Sequence, residues 1–180
     1  MRAFVALDLP DEVIQPLTRL QSGLTVGRHT PEENLHLTLA FLGDVADGIA
    51  HDLAEALAGM RLGPVTLELA GLDLFGGRRP TVLYVAARGE GLQTIHDKVM
   101  RAAREAGVVL PRERFRPHVT LARFAAHLGE KDQRRLGEFL SLNGTFALPS
   151  AKAASITLYR SHLRDDGAIH EPLASFDLDG

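Results

Sequence analysis

Two tripeptides in this chain have side chains that could do acid–base chemistry. His36 and Thr38 stand two residues apart in NLHLTLAFLG (34–43), and His118 and Thr120 repeat the arrangement in RFRPHVTLARF (114–124). Side chains alternate across a β-strand, so each pair projects an imidazole and a hydroxyl from one face. Leu37 and Leu39, or Val119 and Leu121, project from the other. One such strand reads most simply as a core histidine with its hydrogen bonds satisfied. With eight histidines and ten threonines in 180 residues, chance supplies roughly 0.4 His-x-Thr tripeptides. Here there are two, both followed by Leu-Ala and both inside apolar strand patterns.

Two imidazoles on opposing sides suit in-line displacement at phosphorus. The attacking oxygen must lose a proton while the leaving oxygen gains one. A histidine, with an unperturbed pKa near 6.5, can serve neutral in one copy and protonated in the other. Each role contributes typically about 10²–10⁴-fold. Threonine hydroxyls can donate to nonbridging phosphate oxygens. This chemistry needs no metal, and neither a metal nor a cofactor is expected.

The elements that must position these residues repeat along the chain. FVALDL (4–9) reads as a strand, and Val13, Ile14, Leu17 and Leu20 mark a helix over 11–24 that contains Pro16. The His36 strand spans 34–42, and Ile49, Leu53, Leu57 and Met60 mark a second helix. Two short strands follow, at 65–69 and 72–75. The order then starts again: a strand at 81–87, a helix through Leu92, Ile95, Val99 and Ala103 closed by Gly107, and the His118 strand at 116–124. A helix with Leu136, Phe139 and Leu140 and strands at 155–161 and 174–178 complete it. Phe4 precedes His36 by 32 residues, and Tyr84 precedes His118 by 34. A period near 80 is too long for a solenoid. It predicts an α+β, bilobal fold of duplicated β-α-β-α-β units related by a pseudo-twofold axis. Mainly antiparallel sheets would line a central cleft. The chain reads as a single duplicated domain over 1–180, with lobes near 1–80 and 81–180 and room for strand exchange between them.

Composition narrows the function classes. The absence of cysteine removes disulfides and thiolate nucleophiles. A net charge of −3 argues against a coat on long nucleic acid, but local arginine clusters suit a phosphate. Arg112, Arg114, Arg116 and Arg123 form one such cluster; Arg78 and Arg79 form a second that reads first as a solvated turn. No phosphate loop, nucleophile elbow or metal-ligand histidine spacing is present, and His29, His51, His96, His127, His162 and His170 read mostly as surface residues. Without an apolar leader or spanning segment the protein is expected to be cytoplasmic, with no membrane partner. A self-contained bilobal fold makes a monomer the default.

The quoted motifs, HLTL (36–39) and HVTL (118–121), together with FVALDLP, ENLHLTLAFLGDV, FRPHVTLAR and ITLYRSHL, resemble those of the two-histidine (2H) phosphoesterases. Within these, the sequence is similar to RNA 2′,3′-cyclic phosphodiesterases, also called 2′–5′ RNA ligases. The resemblance implies that His36, Thr38, His118 and Thr120 are catalytic and that RNA 3′ ends or small cyclic nucleotides are the partners. A terminal 2′,3′-cyclic phosphate would open to a 2′-phosphate, and the reverse reaction would join RNA ends 2′–5′ without ATP. His118 is assigned as base and His36 as acid, an assignment the pseudosymmetry allows to be exchanged. The resemblance also implies a phosphate clamp at Arg123 and a base-stacking surface at Phe41. Both lie five residues after their histidine, a spacing that a regular strand sends to the opposite face. Either the strand ends, twists or bulges there, or these two belong to the core. Arg160 is a further candidate for the cleft. Two alternatives stay open: a non-catalytic binder of nucleotides or RNA ends, and the same chemistry on ADP-ribose cyclic phosphate or 2′–5′ oligoadenylate.

Overall fold

In the computed structural model, which describes residues 1–178, the strands are β1 (Arg2–Asp8), β2 (Arg28–His29), β3 (His36–Asp44), β4 (Thr66–Phe75), β5 (Val82–Arg88), β6 (His118–Arg123), β7 (Ala151–Lys152), β8 (Ser155–Arg164) and β9 (Gly167–Asp177). The helices are α1 (Asp11–Ser22), α2 (Asp47–Ala58), α3 (Leu92–Glu105) and α4 (Glu130–Asn143). The strands join edge to edge in the order β7-β4-β5-β6-β3-β1-β8-β9, with β2 beside β6. Every one of these pairings is antiparallel.

That order is palindromic about the β6–β3 contact. β5 and β1 flank the centre, and β4 and β8 come next. β4 belongs to the first half of the chain yet pairs with β5 of the second half. β8 belongs to the second half yet pairs with β1 of the first. Each side of the sheet is therefore completed by a strand from the other half of the chain. The central contact rests on a single residue pair, Leu37 with Val119.

One face of the sheet makes the core. Val5, Leu7, Leu37, Leu39, Val85, Val119, Leu121 and Leu158 are essentially inaccessible there. The helices cover this face with stripes at helical spacing, such as Val13 and Leu17 on α1 and Ile95 and Val99 on α3. α1 packs against β6 and α3 against β3, so each helix supports the motif strand of the other half. Replacing one of these leucines by alanine would cost about 2–5 kcal/mol, because close-packed surroundings cannot collapse fully.

The expected elements are all present, with two differences at the edges. The two short strands at 65–69 and 72–75 are one strand, β4, whose register shifts between Leu69 and Leu72. The final strand begins at Gly167, not 174, and forms a long hairpin with β8. Its polar GAIHEP start hides it from pattern reading. Pro172 is tolerated because β9 is an edge strand.

Candidate active site

The pairing of Leu37 with Val119 decides where the motif side chains go. Directly opposed residues point to the same face, and these two point into the core. Their neighbours His36, Thr38, His118 and Thr120 therefore all emerge on the other face, around the centre of the sheet. Each is half-buried.

Both imidazoles are held in the same way. His36 Nδ1–H donates to the Asn34 carbonyl at 2.7 Å, and His118 Nδ1–H donates to the Arg116 carbonyl at 2.6 Å. A carbonyl can only accept, so Nδ1 carries the proton and Nε2 is left to exchange one. His36 Nε2 lies 3.0 Å from Thr38 Oγ1, whose hydroxyl donates to it while the ring is neutral. Aromatic rings pack against each imidazole. Phe4 stacks on His36 at 4.9 Å and Tyr159 stacks on Phe4 at 5.2 Å. Tyr84 and Phe75 lie edge-on to His118 at 5.2 and 5.0 Å.

Burial pushes the His36 pKa down to about 4; the Asn34 carbonyl works against this, and nearby His170 adds to it. His118 is lowered as well, by burial first and then by the Arg123 guanidinium, against the upward pull of its carbonyl partner. Both rings are therefore neutral in the free protein near pH 7.

Phe41 and Arg123 share the face of the histidines. Opposite β1, Ala6 pairs with Thr38 and Val5 with Ala40, so Leu39 is skipped. Opposite β5, Tyr84 pairs with Thr120 and Leu83 with Ala122, so Leu121 is skipped. Each motif strand thus carries a β-bulge at the same motif position. Burial follows: Leu39 and Ala40 are buried in succession, as are Leu121 and Ala122, and the next residue emerges. Phe41 is 64% exposed, and its ring lies 6.3 Å from Phe4. Arg123 is exposed, and its charge acts on both His118 and His170.

Asp8 and His170 also stand on the face of the histidines, without a clear mark in the sequence. Asp8, opposite His36, accepts hydroxyl bonds from Ser155 (2.7 Å), Thr157 (2.6 Å) and Tyr159 (2.8 Å). With burial, this carboxylate pushes the Tyr159 phenol up to about 12. His170, read from sequence as a surface residue, is half-buried and lies edge-on to His36 at 5.3 Å and to Phe4 at 4.8 Å. In a flat sheet, strands three places apart stand about 14 Å apart. The β9–β3 ring contact therefore requires the sheet to curl around the cleft. The Asn34 amide fixes this closure by donating to the Ala168 carbonyl on β9 at 2.8 Å.

Arg160 alternates with Tyr159 along β8, so it falls on the face away from Asp8 and the histidines. Arg78 and Arg79 line a separate recess of about 190 Å³ beside His127 and Leu128. Among the described residues no group of three or more His, Cys, Asp or Glu is arranged to hold a metal. No helix among them is long and apolar enough to cross a membrane.

Residues 9–165 match the 2′-5′ RNA ligase superfamily, and this span includes both motif strands and both bulges. The chain belongs to that family. An RNA 2′,3′-cyclic phosphodiesterase from Aeropyrum pernix is 34% identical over 145 residues, covering 79% of this chain and 81% of that protein. The protein of the same name from Geobacillus stearothermophilus is 32% identical over 185 residues; the match takes in 98% of this chain and 57% of that relative's length. The crystal structure of E. coli LigT complexed with 3′-AMP superposes with a TM-score of 0.74 at 25% identity. That superposition covers 99% of this chain and 98% of LigT. The α+β architecture of this 2′-5′ RNA ligase superfamily member is thus shared along almost its whole length.

Proposed function

We propose that this protein hydrolyses terminal 2′,3′-cyclic phosphates, on RNA 3′ ends or small cyclic nucleotides, to 2′-phosphates. Two histidines act as general acid and base without a metal, and the reverse reaction joins RNA ends 2′–5′ without ATP. The observation that carries this reading is the matched pair of imidazoles, each locked through Nδ1 to a backbone carbonyl so that Nε2 is the exchanging nitrogen. The relatives' name and the 3′-AMP complex of LigT support the substrate class.

The placement of Phe41 favours one assignment of roles. It shares β3 with His36, so a nucleoside base stacked on it brings its ribose to the His36 side. His36 Nε2–H then protonates the departing 3′-oxygen as the P–O3′ bond breaks. His118 Nε2 takes a proton from water as the new P–O bond forms in line. The product is a 2′-phosphate monoester with a free 3′-hydroxyl. The free-protein pKa of His36 requires help in this role, and the phosphate supplies it, because an anion beside the ring favours the imidazolium. Once protonated, Nε2 no longer accepts from Thr38. That hydroxyl is released to donate to a nonbridging oxygen, alongside Thr120 and the Arg123 guanidinium.

The test is turnover of a nucleoside 2′,3′-cyclic phosphate in EDTA by the wild type and by His36→Ala and His118→Ala. Each variant should lose about 10²–10⁴-fold. Tight binding without wild-type turnover would instead establish a binding module. A p-nitrophenyl phosphodiester separates the roles, since its leaving group needs no proton. It should rescue His36→Ala and leave His118→Ala inactive.

A further inference from the structure

A bulge leaves a strand carbonyl without its ladder partner, and a buried carbonyl must find another. Both motif strands solve this with a side chain from the helix of the other half. On β6, the Leu121 carbonyl accepts from Gln21 Nε2 of α1 at 2.8 Å and from the Thr30 N–H at 2.9 Å. On β3, the Leu39 carbonyl accepts from His96 Nδ1–H of α3 at 2.8 Å. Gln21 Nε2 also donates to the Thr30 carbonyl at 2.9 Å, so its role is confined to capping backbone carbonyls. His96 does more, because its ring lies flat on Phe115 with centroids 3.8 Å apart and planes 5° from parallel. Phe115 immediately precedes Arg116, whose carbonyl orients His118. One partly buried imidazole therefore touches the bulge that turns Phe41 into the cleft and the segment that aims His118.

We infer that His96 is a positioning residue that ties the two motif strands together: its Nδ1–H sets the bulge beneath Phe41, and its ring sets the backbone that orients His118. This rests on the functional reading above, in which Phe41 binds the base and His118 acts on water. The two links call for different atoms and can be cut one at a time. His96→Asn keeps an N–H donor near the Nδ1 position and loses the ring. His96→Phe keeps a stacking ring and loses the donor.

Steady-state kinetics on a nucleoside 2′,3′-cyclic phosphate should separate the two variants. His96→Phe should raise KM about five- to tenfold, part of what a lost base stack costs, with kcat little changed. Introduced into Phe41→Ala, it should raise KM no further, because the two act through one contact. His96→Asn should lower kcat on the order of tenfold with KM retained, as expected for a displaced catalytic group. Phe115→Leu should reproduce that loss from the other side of the stack. The inference is overturned if folded variants stay within about twofold of wild type in both constants. Equal losses of kcat and KM in both variants would also overturn it, as would additivity with Phe41→Ala. A wild type with no turnover refutes the proposed function, and the positioning claim is then decided by amide NMR. His96→Phe should shift Ala40 and Phe41, and His96→Asn should shift Arg116 and His118. The reverse pattern, or no local shifts, contradicts it.

Discussion

Replacing Asp8 with alanine should loosen both the sheet and the environment of His36. Three hydroxyls converge on this carboxylate at 2.6–2.8 Å, all from β8. A hydrogen bond to a charged group contributes about 1.5–3 kcal/mol, with strongly coupled bonds adding less than their sum. Thr157 can keep its contact to Ser175 at 3.0 Å, which recovers part of the loss. The expected cost is about 3–4 kcal/mol, or roughly 6–16 °C in Tm for a chain of this size. Asp8→Asn retains an acceptor and should lie between. The phenol provides a second readout in the same variant. Tyr159 is raised to about 12 by burial, by the bond to Asp8 and by the carboxylate charge, and the last two vanish. Ultraviolet titration should show its ionisation falling back toward the ordinary value near 10. Activity should follow, since the carboxylate field favours protonated His36 and its loss pushes that ring further toward neutral. A Tm within about 2 °C of wild type, or an unchanged phenol titration, would refute this reasoning.

Other outcomes follow from the same site. The profile of kcat/KM reports the free enzyme, in which His36 must be protonated and His118 neutral. His36 titrates at about 4 and His118 below its usual 6.5, so kcat/KM should peak on the acid side of 6.5 and fall toward neutral pH. The kcat optimum should lie higher, because bound phosphate favours both imidazolium forms; a kcat/KM plateau through neutrality would contradict the burial argument. Phe41→Ala should raise KM by about 5- to 160-fold through a lost stacking contribution of about 1–3 kcal/mol, with kcat much less affected. Arg123→Gln should weaken phosphate binding and let His118 and His170 titrate nearer their ordinary value, measurable from imidazole NMR shifts.

The two His-x-Thr pairs and the duplicated element order are legible in the sequence because both depend on local alternation. The positions of Phe41 and Arg123 are not. Their parity is reset by the bulges at Leu39 and Leu121, and those exist only in the register with β1 and β5. Asp8 carries a faint signal, an acid two residues from Ala6 on the Phe4 face of an apolar strand. Gln21 carries another, as a polar residue continuing the buried Val13–Leu17 stripe. His170 carries none. Its partners His36 and Phe4 lie more than 130 residues away in sequence, and only the curl of the sheet brings them together.

The most direct test of the central claim is phosphorus NMR of the product formed from an oligoribonucleotide ending in a 2′,3′-cyclic phosphate, in EDTA. In-line attack by water activated at His118, with the 3′-oxygen leaving toward His36, predicts the 2′-phosphate as the sole product. A 3′-phosphate, a mixture of the two, or continued turnover in both His36→Ala and His118→Ala would contradict it.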